Sequence, residues 1–148
     1  MLINDILKDA CALIPNSVYL RATSTEANTS VADIDLAGKT FCLYNNLSSV
    51  VYNVGNSVVS SHPVEIKFLE LADFDDDTEQ GEVIRERLLE VAKSIFFTIS
   101  IDDRVSKAEI TESFEINMED NVKLYDTIMT GVSLEFDIFI DGSQLCPL

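Results

Sequence analysis

The fold is decided by residues 63–97, PVEIKFLELADFDDDTEQGEVIRERLLEVAKSIFF. Val64, Ile66 and Phe68 alternate with Glu65 and Lys67, which predicts a strand from Val64 to Leu71. An acidic turn from Asp73 to Asp77 follows, and after it comes the longest helical pattern in the chain. This stretch therefore supplies a sheet strand and a helix to cover the sheet.

The helix is expected to start near Thr78, because Asp77 can serve as N-cap with Gln80 three residues on. Its core-facing stripe is predicted to contain Val83, Ile84, Leu88, Val91 and Ile95. Leu89 and Phe96 project away from that stripe at about 100° per residue. They belong either to the far side of the same core, to tolerated exposed positions, or to a contact with a neighbouring subunit. Leu89 and Phe96 are therefore candidate subunit-interface residues.

The acidic turn raises the question of a divalent cation, since hard cations take several oxygen ligands. If Asp75 opened an EF-hand loop, its sixth position would be Gln80 where that loop requires glycine. The turn is better explained as a solvated helix cap. We expect no metal and no cofactor.

Before this central unit the chain opens with an amphipathic helix, whose apolar stripe ends at Pro15. Val18 to Leu20 predicts a short strand, and the polar segment from Ala22 to Ser30 a loop, either plain surface or an arm that orders on a partner. Residues 39–44 and 49–54 predict a β-hairpin, followed by a turn at Gly55-Asn56. His62 marks the entry to the next strand and is assigned no chemistry, because no acid or cysteine accompanies it.

After the helix, residues 108–116 predict a strand interrupted at Glu112, and residues 117–126 an irregular segment. The final strand is the clearest in the chain, with apolar residues alternating from Val132 to Ile140. Its other face carries Glu135, Asp137 and Asp141 towards water or a lumen. A short tail, SQLCPL, closes the chain.

Composition and charge exclude several classes of protein. The 148 residues, 47% apolar and 24% charged, make one ordinary domain, 1–148, with a real core. A net charge of −16 argues against direct binding of nucleic acid or of anionic membranes. The three cysteines, Cys11, Cys42 and Cys146, show neither a disulfide framework nor zinc-ligand spacing, which fits a reducing cytosol. No segment has the apolar length of a membrane span.

The element order predicts an α+β domain, with an N-terminal helix and a central amphipathic helix packed on a largely antiparallel sheet. That order resembles the small ring-forming tail-terminator and neck proteins of tailed bacteriophages, including those of Bacteroides-type phages and prophages. Two segments carry the resemblance, VEIKFLELADFDDDTEQGEVIRERLLEVAKSIF and LYDTIMTGVSLEFDIFI with the ending LCPL. They cover roughly half of the chain, and the loop 22–33 and the hairpin are unmatched.

The resemblance implies a tail-terminator-like fold and a structural virion protein in the neck or tail, assembled in the host cytoplasm and without enzymatic activity. It implies a ring of six or twelve copies that contacts neck, portal or tail proteins and lets DNA pass without specific binding. Two other classes remain open. One is an acidic DNA-mimic inhibitor or small interaction protein of phage or prophage origin. The other is a small cytoplasmic enzyme, although the sequence indicates no set of polar residues that would converge in a pocket.

Overall fold

The computed structural model describes residues 2–22, 38–45, 50–54, 58–71, 78–106, 114–124 and 127–141. Its elements in chain order are α1 (Leu2–Cys11), β1 (Ser17–Ala22), β2 (Thr40–Asn45), β3 (Val51–Val54), β4 (Val58–Leu71), α2 (Thr78–Ser100), β5 (Glu115–Leu124) and β6 (Thr127–Asp141). Several predicted features lie outside the described residues: most of the loop 22–33, the Gly55-Asn56 turn, the acidic turn 73–77, the strand start 108–113 and the tail 142–148.

The described strands form one mixed, mostly antiparallel sheet in the order β1-β2-β4-β6-β5. Only β1 and β2 run parallel, and β4 and β6 form the long central pair from Val59↔Asp141 to Leu71↔Met129. The two helices pack on one face of this sheet, α1 over β1 and α2 chiefly over β6. The predicted α+β class, with an N-terminal helix and a central helix on a largely antiparallel sheet, is confirmed.

Three sequence predictions about strands are wrong. The predicted hairpin does not form, because β2 and β3 both pair with β4, β2 near its C-terminal end and β3 at its start. β4 does not begin after His62 but runs straight through it, since Pro63 pairs with Asp137 of β6. The segment expected to be irregular after residue 116 is β5, whose polar sequence reflects an end strand with a bulge between Glu119 and Val122.

The core lies between the helices and the sheet. Apolar residues of α1 and α2 meet the alternating apolar residues of β4 and β6 there: Ile3, Ile6, Leu7, Ala10, Leu88, Ala92, Ile95, Ile99, Val64, Ile66, Phe68, Val132, Leu134, Phe136, Ile138 and Ile140. The alternation predicted for the final strand is thus confirmed, as is the start of α2 at Thr78.

The buried stripe of α2 differs from the predicted one at both ends. Val83 is 60% exposed, so its assignment to the core is wrong, and Ile84 only borders the core. The fully buried positions of α2 begin at Leu88 and extend to Ile99, beyond the predicted end of the stripe at Ile95. The buried arc is also broader than predicted, because α2 faces β5 as well as β6.

The reverse face of the sheet holds a small buried patch at one end. Phe41 and Leu69 are register partners across β2 and β4, and both are fully buried. Leu69 in turn pairs with Gly131 of β6. A side chain at Gly131 would overlap the carbonyl oxygen of Phe68, so this close approach of β4 and β6 requires glycine.

Candidate functional site

Phe96 is a core residue and not part of an exposed helix back. It is 9% exposed, stacks on Phe114 with ring centroids 4.1 Å apart, and meets Phe136 edge to face at 5.4 Å. Leu89 is half-buried and packs against the same core. The placement of Phe96 on a free surface is therefore wrong, and the alternative that these residues reach the far side of the core is confirmed. The reason is that β5 and Phe114, the residue before it, cover this flank of α2.

The exposed apolar residues of α2 lie elsewhere. Phe97 is 60% exposed, and Ile101 follows it four residues later, just beyond the helix end. Phe97 touches the core only at its edge, with its ring centroid 5.9 Å from that of Phe96. On the sheet, Met118 of β5 is 54% exposed. Sequence reasoning missed Phe97 and Met118, because helix and strand periodicity do not show which flank a neighbouring strand covers.

A groove of about 360 Å³ separates the turn after α1 from α2. Leu13, Ile14 and Pro15 form one wall, and Val91 and Ile95 lie opposite. The polar residues at this groove are Arg87, Glu90, Ser94 and Thr98. Such a lining suits an apolar side chain of another protein better than a small polar substrate.

Carboxylates are aligned across the face of the sheet opposite the helices. Glu135 of β6 is the register partner of Glu65 on β4 and of Glu115 on β5. Register partners on neighbouring strands point to the same side and lie about 4.8 Å apart. Of the predicted acidic residues, Asp137 is exposed, while Glu135 and Asp141 are half-buried. We call Glu65, Glu135 and Glu115 the carboxylate row.

Lys67 of β4 offsets part of the negative charge of the carboxylate row. The Nζ of Lys67 lies 3.9 Å from a carboxylate oxygen of Glu65. Glu135 was predicted from the alternation of its own strand, whereas the contributions of Glu65 and Glu115 depend on strand register. The sequence alone does not specify that register, so the row could not be found from it.

His62 pairs with Ser60, with Nε2 and Oγ 2.7 Å apart, and Ser60 Oγ also lies 3.3 Å from the carbonyl oxygen of Ile140. Ser60 is fully buried, so no substrate can reach its oxygen. Burial also lowers the pKa of His62, because it disfavours the charged form of the ring. The Ser60 hydroxyl links β4 to β6, and His62 contacts that hydroxyl from within β4, which fits the structural role expected for His62.

Ion pairs made by two arginines fix the helices to their surroundings. Arg87 of α2 pairs with Glu70 of β4. Arg104, after α2, binds Asp9 of α1 at 3.0 Å and Asp102 at 2.8 Å, and its guanidinium lowers the pKa of the Asp102 carboxyl. These contacts keep α1 and α2 in place on either side of the groove.

Within the part of the chain that the structure describes, no three His, Cys, Asp or Glu residues are grouped as ligands for a metal ion. The acidic turn 73–77 is outside that part. Among the described helices, none has the length and apolar character to cross a membrane. The chain matches no protein-family model, and comparison with curated proteins gives no match.

Proposed function

We propose that this chain is a structural virion protein of a tailed bacteriophage, which forms a closed ring of the tail-terminator or neck type. The observation that carries the proposal is the sheet itself. Among the described strands, β1 and β5 lie at the two ends of the sheet, the helices cover one face, and the other face holds the carboxylate row. The proposal includes no enzymatic activity.

Strand directions support a head-to-tail contact. β1 runs parallel to β2, and direction then alternates through β4, β6 and β5, so β1 and β5 run in opposite directions. A second copy placed with its β1 beside β5 of the first would therefore pair with it in antiparallel fashion. Such pairing uses the backbone groups of both end strands. Because the contact joins two different surfaces, a closing rotation generates a ring.

The two faces of the sheet fit a channel for DNA. Rotation about one axis keeps the helices of every copy on the same side, and we assign that side to the outside of the ring. The carboxylate row and Asp137 then line the lumen, where their charge repels phosphates and allows DNA to slide. Five strands about 4.8 Å apart contribute roughly 24 Å of circumference per copy, so roughly six copies give a backbone-to-backbone diameter of about 45 Å.

The carboxylate row also favours a second candidate, an acidic inhibitor that mimics nucleic acid. Carboxylates in register across three strands present closely spaced negative charge, as a phosphate backbone does. Lys67 beside Glu65 weakens that array. A mimic of this kind would be a monomer or dimer and would bind a basic DNA-binding protein.

Two matched substitutions test the ring. Met118→Lys places a charge on the helix-side face of the end strand β5, whereas Val83→Lys changes a similarly exposed residue at the start of α2. Sedimentation should show that Met118→Lys breaks the assembly while Val83→Lys preserves it, with both variants folded by circular dichroism.

A wild-type chain that stays monomeric at high concentration, or an assembly that survives Met118→Lys, would refute ring formation through β5. A monomer that binds a basic DNA-binding protein in a salt-dependent way would favour the mimic.

A further inference from the structure

The groove between the turn after α1 and α2 exposes apolar surface that the core does not use. Leu13 is 69% exposed on one wall, although its neighbour Ile14 packs against the core. Val91, on the opposite wall, is half-buried. Removing such surface from water is favourable. A segment with apolar side chains would therefore be stabilised in this groove.

The polar residues at the groove have partners within the chain. Arg87 pairs with Glu70 of β4, and the Nζ of Lys93 lies 3.1 Å from a carboxylate oxygen of Glu90. The hydroxyl of Thr98 donates to a carbonyl oxygen one turn earlier in α2, at 2.8 Å. The groove thus favours an uncharged occupant, because a charged group buried there would lose its hydration without gaining an unused partner.

The tail 142–148 has the composition that this groove requires. Its sequence, GSQLCPL, contains no charged side chain, in a chain of which 24% of the residues are charged. Leu145, Pro147 and Leu148 place three apolar side chains within four positions. Pro147 also favours an extended backbone at the residue before it. An extended segment of this kind can lie along a groove and insert its apolar side chains.

The tail also begins near one end of the groove. β6 ends at Asp141, and the amide of Ser106 donates to the carbonyl oxygen of Phe139 at 2.7 Å. The chain that leaves α2 therefore runs beside the end of β6. Thr98, in the last turn of α2, lines the groove. Seven extended residues span roughly 23 Å, which is enough to pass the end of α2 and enter the groove beside Thr98.

We propose that the tail 142–148 binds in the groove of its own copy, with its leucines against Leu13 and Val91. Docking covers the exposed side chain of Leu13 and links the end of β6 to both helices. It also closes the groove to other proteins. The inference goes beyond the ring and does not depend on it, because the tail and the groove belong to one copy of the chain.

Chemical crosslinking from Cys146 locates the tail in the full, folded chain. Cys11 and Cys42 are buried, so a cysteine introduced on the surface of α2 should be linked to Cys146 in preference to them. Ser94→Cys places a thiol at the groove. Lys93→Cys is the matched control, since it is the preceding residue, partly exposed, but about 100° away around the helix. After treatment with a short bismaleimide and digestion, we expect a peptide that links residues 94 and 146 as the main product, and only a minor product from the control.

Two additions complete the test. The protein is refolded as an equal mixture of ¹⁴N-labelled and ¹⁵N-labelled chains, so that a link within one copy gives peptides of a single label. Leu13→Asp, at an exposed position, should lower the yield of the 94–146 peptide several-fold while circular dichroism stays unchanged.

The proposal is overturned if Ser94→Cys and Lys93→Cys give equal yields, if no linked peptide forms, or if Leu13→Asp leaves the yield unaltered. Linked peptides of mixed label as the main product would also overturn it, because the groove would then hold the tail of a neighbouring copy. None of these results changes the mass of the assembly, so ring formation is judged separately.

Discussion

Phe96 and Phe97 are neighbours of the same type in opposite environments, and replacing each by alanine tests the described core most sharply. Phe96 is 9% exposed and contacts the rings of Phe114 and Phe136, whereas Phe97 is 60% exposed. Truncating a buried phenylalanine costs about 3–5 kcal/mol through lost burial and the cavity left behind. The same truncation at an exposed position lowers the free energy of unfolding by about 1 kcal/mol or less.

The free energy of unfolding is measured by urea denaturation at 25 °C, followed by circular dichroism. We expect Phe96→Ala to lose at least about 2 kcal/mol more than Phe97→Ala, with similar m-values. Equal losses for the two variants would show that the register of α2 on the sheet is wrong. It also follows that charged residues at Leu89 and Phe96 together should unfold the chain before they affect any assembly.

Three further predictions concern other parts of the fold. Gly131→Ala should destabilise the protein by more than about 2 kcal/mol, because the new methyl group would meet the carbonyl oxygen of Phe68; an unchanged urea midpoint would contradict this close approach. Burial lowers the folded-state pKa of His62, so the unfolded chain binds its proton first and stability should fall as pH drops below about 6.5. His62→Gln should flatten that part of the pH profile, and an unaltered slope would remove His62 as its cause. Millimolar calcium should leave Tm unchanged if Asp75 to Asp77 only cap α2, whereas a rise of several degrees would indicate a binding site.

The residue pattern within a single segment was enough to predict the elements with strong periodicity. The alternation in β6 and the helix start at Thr78 were both predicted from local sequence, and both hold in the structure, while the cap residue Asp77 lies outside the described residues. The α+β class follows from the order of these elements. None of this required knowledge of which strand pairs with which.

Strand pairing determines the features that periodicity in the sequence did not predict. β2 and β3 have the composition of a hairpin, yet the length of β4 lets it take both as partners along one edge. Phe96 lies off the helical stripe of α2, but Phe114 and β5 bury it from the side. The carboxylate row likewise exists only through the register of three strands. Such long-range contacts leave no periodic signal in one segment.

The central claim of ring assembly is tested most directly by the mass and shape of the purified wild-type chain. Light scattering combined with electron microscopy of the same fractions supplies both. The account predicts one assembly whose mass is a fixed multiple of the monomer mass, seen as a closed ring with an open centre. A monomer at every concentration, or a two-fold dimer without a channel, would contradict it.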